Sequence, residues 1–252
     1  MTPKFIERTE GNYRYVAGHG TYCNDVVPDP GHAVAHAVFA TAQPLARGFE
    51  LIQSYLAGLG LPMAALCGAE LRIREALSFA GFAALNATYI ALLDTYNLRQ
   101  NGLGTMTRTN VAPEVAAAKP AEPGIFGFSY IVPGAATGRR TFVSSGSGEL
   151  AGEGREGIVR LGDISVDGMR EKTRWVMRAI SSRLPGLGVS IEDVTHVNLY
   201  TVRPLDAILE HEVLDVLGAR AGMGVHWHYA RPPIVELEFE ADLKGVLHEA
   251  YL

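Results

Sequence analysis

The side chains best suited to chemistry are one arginine, one glutamate, one asparagine and a tight group of imidazoles. Arg108 stands in the run Thr107-Arg108-Thr109-Asn110-Val111. A guanidinium offers a rigid fork that grips a carboxylate through two parallel hydrogen bonds. Gripping a substrate carboxylate that way fixes the carbon beside it, and orientation is much of what a small hydrolytic site must supply. The competing reading of Arg108 is a surface or interface salt bridge. Glu236 stands in Val235-Glu236-Leu237-Glu238. On a cleft-facing strand it could position an attacking water or pass a proton to a leaving nitrogen, provided partial burial lifts its pKa toward neutrality. Otherwise it is one of three exposed glutamates, with Glu238 and Glu240. Asn86 follows Phe82 by four and precedes Tyr89 by three, one helical turn from each. It either hydrogen-bonds a substrate from across a subunit interface or serves as a structural amide.

The most distinctive cluster is His226-Trp227-His228-Tyr229. On a strand His226 and His228 share one face. Such a pair can bind zinc only with a third ligand. His211, His248 and Glu236 are all candidates, and the spacing selects none, so we assign no metal. The same rings could line a substrate cleft or pack at an interface. His19, His32 and His36 lie in a Gly/Pro-rich stretch and receive no role. Ser145 has no GxSxG context and no adjacent base, which argues against a serine nucleophile. The glycines between 146 and 157 carry no Walker lysine, which rejects a phosphate loop.

These residues must be held by elements, and hydrophobic spacing outlines them. Residues 35–41, 67–73, 106–111 and 124–132 read as strands, and 46–57 and 79–93 as helices. After the turn-prone residues 133–138 the order repeats. Residues 140–144 form a strand. A helix capped by Ser165 or Asp167 carries Met169, Thr173, Val176, Met177, Ile180 and Leu184 as a stripe. Residues 194–201 are a strand, 205–217 a helix, and 225–230 and 234–241 two further strands. In the last, Val235, Leu237 and Phe239 alternate with Glu236, Glu238 and Glu240.

The repetition has a fixed offset. Gly58-Leu59-Gly60 recurs as Gly186-Leu187-Gly188, 128 residues on. At that offset Phe49 meets Met177, Ile52 meets Ile180, Leu56 meets Leu184 and Leu71 meets Leu199. The chain therefore reads as two α+β units, residues 1–135 and 136–252, each a mixed sheet with two helices on one face. Composition sets further bounds. Of 252 residues, 48% are hydrophobic and 19% charged, which excludes wholesale disorder. Net charge is −5, and no basic run interleaves with aromatics, so nucleic acid is not an expected partner. Cys23 and Cys67 form no CxxC, consistent with reduced thiols. No apolar run approaches the roughly 18 residues of a membrane helix, and no signal-peptide core precedes the first strand. A cytoplasmic protein without a membrane partner is expected.

Several segments resemble the RidA/YjgF family. Phe82-Ala83-Ala84-Leu85-Asn86-Ala87-Thr88-Tyr89 is similar to its second-helix signature, and Thr107–Val111 to its Ala-Arg-Ser/Thr-x-Val strand. Thr141-Phe142-Val143-Ser144-Ser145-Gly146 resembles its Phe-Val-Ser-Gly strand. Ile191-Glu192-Asp193-Val194-Thr195-His196-Val197 resembles its central-strand entry, and Val235–Glu238 its closing Val-Glu-Ile-Glu strand. The resemblance implies two tandem chorismate-mutase-like units. It implies a homotrimer with clefts between units, and hydrolysis of enamines or imines to ketones and ammonia with no metal or organic cofactor. In the family, Ser145 and Gly146 match a position that lends backbone groups to the cleft. The substrate expected is a carboxylate-bearing enamine or imine, an amino-substituted ring-cleavage product being one such compound. His226, His228 and Tyr229 join Asn86, Ser145 and Gly146 as candidate substrate contacts.

The departures from the family matter. The first unit keeps Arg108, but its closing strand reads Gly124-Ile125-Phe126-Gly127-Phe128, with no glutamate. The second keeps Glu236, but its nearest arginine, Arg220, lies in a poorly matching Ala-Arg-Ala-Gly-Met-Gly. Either one composite site is shared between the units or no site survives. Two alternatives stay open: a chorismatase-like vinyl-ether hydrolase, and an inactive ligand-binding or assembly module.

Overall fold

Phe49, Ile52 and Leu56 recur at helical spacing and are wholly buried, and Met177, Ile180 and Leu184 at the matching positions of the second half are buried too. Each stripe seats a helix on a sheet. The computed structural model describes residues 3–134 and 139–252. The junction between the two expected units falls largely on residues 135–138, outside the described residues.

The first half of the chain contributes β1 (Phe5–Arg8), β2 (Tyr13–Val16), β3 (Asp25–Pro28), β4 (His32–Pro44), α1 (Leu45–Gly58), β5 (Leu66–Arg72) and α2 (Phe79–Thr95). A small ribbon, β6 (Arg99–Gln100) and β7 (Leu103–Gly104), leads to β8 (Thr107–Pro113) and β9 (Gly124–Pro133). The second half contributes β10 (Phe142–Ser144), β11 (Ser147–Gly148), α3 (Val166–Ser181), α4 (Leu184–Leu187), β12 (His196–Tyr200), α5 (Asp215–Leu217), β13 (His226–His228), β14 (Ala230–Arg231), β15 (Glu240–Gly245) and β16 (Glu249–Tyr251).

Two mixed sheets result. One runs β14-β8-β5-β9-β4-β16 and carries α1 and α2. The other runs β1-β2-β3-β10-β15-β12-β13, with β11 also on β15, and carries α3. This is the α+β architecture expected from the sequence. The halves exchange edges: β1 to β3 complete the second half's sheet, while β14 and β16 complete the first half's. Between the sheets lie an apolar patch of Tyr13, Val26, Cys67, Ile131 and Val143 and a buried polar layer that includes Glu70, Thr109, Asp242 and Lys244. Glu70 pairs with Lys244. Burial pushes its carboxyl up, but Lys244, His36 and Arg72 together outweigh that and hold it below the usual carboxylate range.

Most elements lie where periodicity placed them, with three corrections. The strand expected at 234–241 begins only at Glu240. Residues before it turn, and Glu236 sits at φ 76°, a left-handed conformation foreign to a strand. The Glu149 carboxylate accepts the N–H groups of Glu238 (2.6 Å) and Phe239 (3.1 Å), so these donors are satisfied without a neighbouring strand. The strand expected at 225–230 breaks at Tyr229: β13 joins one sheet and β14 crosses to β8 of the other. The helix expected at 205–217 is instead a π-helical turn, Glu210–Leu214, running into the short α5. There buried Glu212 is clamped by both arms of Arg174, at 2.6 and 2.8 Å. Ser165, rather than Asp167, caps α3 by accepting the Gly168 N–H.

Candidate active site

β8 runs parallel to β5 with Ala69 beside Arg108 and Glu70 beside Thr109. Alternation sends Arg108 and Asn110 to the face covered by α2, and Thr109 to the face between the sheets. Arg108 is 6% exposed. Its Nη1 donates to Asn86 Oδ1 on α2 at 2.8 Å. Its guanidinium carbon lies 5.3 Å from the ring centres of each of Tyr22, Phe82 and Tyr89. Tyr89 is fully buried and Phe82 half-buried. The helical spacing that linked Phe82, Asn86 and Tyr89 thus builds a cage around one cation.

The backbone of Arg108 is held from the second half of the chain. Ser145 Oγ accepts the Arg108 N–H at 2.9 Å and donates to the Cys23 carbonyl at 2.6 Å. Gly146 N–H donates to the Arg108 carbonyl at 3.2 Å. The Ser145 hydroxyl is therefore committed to joining three segments of chain. Gly146 has a different duty: a Cβ there would collide with Glu240 Oε1.

Glu240 is the carboxyl that the structure brings toward Arg108. It opens β15, paired with Tyr200 of β12. Burial pushes its pKa up to about 8, and Asp242 adds to the rise; Arg108 pulls the other way and does not prevail. A backbone hydrogen bond from Asn110 also favours the ionised form. Near neutral pH Glu240 therefore holds its proton. Arg108 is correspondingly lowered, chiefly by burial. Among the described residues no carboxylate stands within ion-pairing distance of Arg108; its direct side-chain hydrogen bond is to a neutral amide. A buried cation without an anion is costly unless a ligand supplies one. Three further polar atoms nearby in the fold have no hydrogen-bond partner among the described residues: Tyr89 Oη on α2, and Asn110 Oδ1 and Nδ2 on β8.

The remaining candidates lie elsewhere. Glu236 makes a two-armed pair with Arg155, both contacts at 2.6 Å, and its side chain is 33% exposed. That pairing holds its carboxyl below the usual range. The structure does not bring it into contact with Arg108. Its expected strand position, with a raised pKa, is corrected on both counts. Arg220 is spent on the Val194 carbonyl. His226, His228 and Tyr229 cluster at β13, on the far edge of the second sheet. His226 packs against His196 with ring centres 5.6 Å apart, and His228 stacks on Tyr200 at 4.8 Å. His211 pairs instead with Asp215 on the surface.

Sequence reasoning missed Glu240, Asn110 and Tyr22. Glu240 carried a signal: the alternation continues as Glu240, Asp242, Lys244, and a polar face that persists into the apolar C-terminal run marks a polar layer between sheets. Tyr22 carried none, since it reaches Arg108 from 86 residues away in sequence.

Comparison with known proteins bears on the family of the chain. The family model for the 2-aminomuconate deaminase CnbZ matches residues 5–250. A 2-amino-5-chloromuconate deaminase from Comamonas testosteroni is 32% identical over 254 residues, spanning 99% of this chain and 100% of that protein. Among solved structures, a chorismatase aligns with 93% of this chain and 77% of its own at 13% identity, with a TM-score of 0.45. An endoribonuclease L-PSP-type protein from Entamoeba histolytica aligns with 54% of this chain and 94% of its own at 18% identity, with a TM-score of 0.32. The match along nearly the whole length, at this identity, makes the chain a member of the CnbZ 2-aminomuconate deaminase family.

Proposed function

We propose that this protein hydrolyses an aminomuconate-type enamine, through its imine tautomer, to the corresponding 2-oxo acid and ammonia. The observation that carries the reading is the buried Arg108 cation, without an ion-pair partner among the described residues, set beside a carboxyl that keeps its proton near neutrality. A muconate skeleton is a conjugated dicarboxylate, so one carboxylate can occupy the guanidinium fork. The Phe82, Tyr22 and Tyr89 rings flank a planar carbon chain.

Glu240 acts in both directions. Its proton goes to the conjugated carbon chain, giving the iminium at C2. The resulting carboxylate takes a proton from water as oxygen bonds to C2. That proton then passes to nitrogen and the C–N bond breaks; ammonia leaves as the C2 hydroxyl gives its proton to the Glu240 carboxylate, forming the carbonyl and restoring the acid. Atoms and charge balance with water as the sole co-reactant, and no step asks for a metal or organic cofactor. Asn86 orients the fork of Arg108, while Ser145 and Gly146 fix its backbone. The role first considered for Glu236 passes to Glu240.

In this reading the chain comprises two units, 1–135 and 136–252, that share one composite site: Arg108 and Asn86 from the first, Ser145, Gly146 and Glu240 from the second. The family resemblance supports a homotrimer. α2 adds support, since among its residues only Tyr89 and Leu93 are buried while Ala83, Ala84 and Ala87 are exposed. The test is ammonia release from a 2-aminomuconate generated in situ, comparing the protein with Arg108→Ala. Equal rates would remove the arginine from the mechanism.

A further inference from the structure

The parallel pair that carries Arg108 has a copy. In β5 and β8, Glu70 lies beside Thr109 and Arg72 beside Val111. In β12 and β13, Asn198 lies beside His226 and Tyr200 beside His228. Glu70 and Asn198 are 128 residues apart, as are Arg72 and Tyr200. The place of Arg108, one before Thr109, is therefore taken in the copy by Val225, one before His226. The next strands repeat as well: Tyr200 lies beside Glu240 of β15, and Arg72 beside Gly124 of β9. The following strands share an irregularity. β4 slips register between Val38 and Gln43, and the β10–β11 segment slips between Val143 and Ser147, where Ser145 and Gly146 hold Arg108.

The Arg108 cleft thus has a counterpart in which the arginine and the glutamate are replaced by Val225 and Gly124. A cavity of about 550 Å³ adjoins that counterpart; Val225 and Gly124 do not line it, and Thr41, Arg72, Phe126, His228 and Tyr229 do. Its cation enters from a new position. Arg72 is 5% exposed. Its Nη1 donates to the Leu71 carbonyl at 3.1 Å, and its Nη2 has no hydrogen-bond partner among the described residues. That Nη2 stands 3.5 Å from Glu70 Oε2, at the loose end of an ion pair. Glu70 is already paired to Lys244. The guanidinium carbon lies 4.4 Å from the centre of the Phe126 ring, which presents a flat apolar floor. Val115, Ala118 and Pro120 extend the apolar wall. Burial, with Arg72 adding to it, lowers His228 to about 4, so its imidazole is neutral at physiological pH.

We propose that this second cleft binds a planar, unsaturated or aromatic carboxylate and does not turn it over. The carboxylate meets the Nη2 of Arg72 in exchange for its long 3.5 Å contact with Glu70, and the flat body lies along Phe126. No turnover is expected there because the lining includes, among the described residues, no aspartate or glutamate to protonate a substrate. The assignment accounts for His228 and Tyr229, which the Arg108 site leaves without a role.

The test uses 4-fluorobenzoate and the full chain, followed by ¹⁹F NMR titration. The Arg108→Ala variant retains the second cleft alone and is expected to bind one 4-fluorobenzoate per chain saturably. Adding Ala118→Trp, an exposed wall position remote from the buried ion pairs, is expected to weaken that binding at least tenfold. Ala118→Trp alone is expected to leave deaminase turnover within twofold of the parent. No saturable binding in the Arg108→Ala variant would overturn the proposal. So would undiminished binding in the double variant, or loss of turnover in Ala118→Trp. The deaminase reading fails on a different result, namely unchanged turnover in Arg108→Ala.

Discussion

Arg108 and Glu240 illustrate how far side-chain chemistry depends on surroundings. Arg108 was legible as a site candidate because it stands in a strand motif of its own, Thr107–Val111. Glu240 was not, because Glu236, Glu238 and Glu240 alternate identically and sequence alone does not say where the strand begins. The Glu149 carboxylate, 89 and 90 residues away from the N–H groups it accepts, decides that. Arg108→Ala should lower kcat/KM by about 100-fold or more, near 3 kcal/mol of transition-state stabilisation. Arg108→Lys should recover only part of it, since an ammonium lacks the fork. Steady-state kinetics with ammonia detection measures both. Glu240 also predicts a pH dependence. Its protonated form dominates below about 8, so activity should fall on an alkaline limb with an apparent pKa of about 8. The same shift bears on stability with a defined sign. Because the folded pKa is raised from 4.5, the contribution is full below about 4.5 and is lost as pH rises through about 8. Urea midpoints should therefore decline less between pH 6 and 9 in Glu240→Gln than in the parent.

Among elements, the interrupted ladder between β10 and β11 matters most to the site. Its irregularity frees Ser145 and Gly146 to bind the backbone of β8 rather than β15. Gly146→Ala should displace the Glu240 carboxyl, since the new Cβ falls on Oε1. We expect an activity loss with the alkaline limb shifted, and a thermal midpoint lowered by only a few degrees; an unshifted limb would contradict the contact. Ser145→Ala leaves the Arg108 N–H and the Cys23 carbonyl without their shared partner, which costs about 1–3 kcal/mol in a buried setting. A urea titration reads that directly. The long helices and strands were legible from spacing, because buried stripes such as Phe49, Ile52 and Leu56 impose their period on the sequence. The breaks at Tyr229 and Glu236 were not, because they follow from which sheet edge is free to receive β14, a property of the folded halves together.

For the molecule as a whole, the repeat at an offset of 128 residues makes two similar halves, and their exchanged edges place a polar layer between them. Lys244, Glu70 and His36 occupy its centre with almost no exposure. Removing one charge leaves the other buried and unpaired, so Lys244→Met should destabilise by about 3–5 kcal/mol, measurable by denaturant unfolding. Light scattering should return a mass of three chains. The halves have diverged at the register-equivalent positions: where the first holds Arg108 and meets Glu240, the second holds Val225 and meets Gly124. The offset was visible in the sequence, but which pair of residues would meet across the halves was not. That depends on the register of β15 against β12, fixed only when the sheets form.

The measurement that bears most directly on this site is kcat/KM for an aminomuconate across pH 6 to 10, in Glu240→Gln and Glu236→Gln side by side. We predict a loss of about 100-fold or more in Glu240→Gln with disappearance of the alkaline limb, and values within about twofold of the parent for Glu236→Gln, a surface ion-pair member. Full activity with an unchanged limb in Glu240→Gln, or the larger loss in Glu236→Gln, would contradict the composite site.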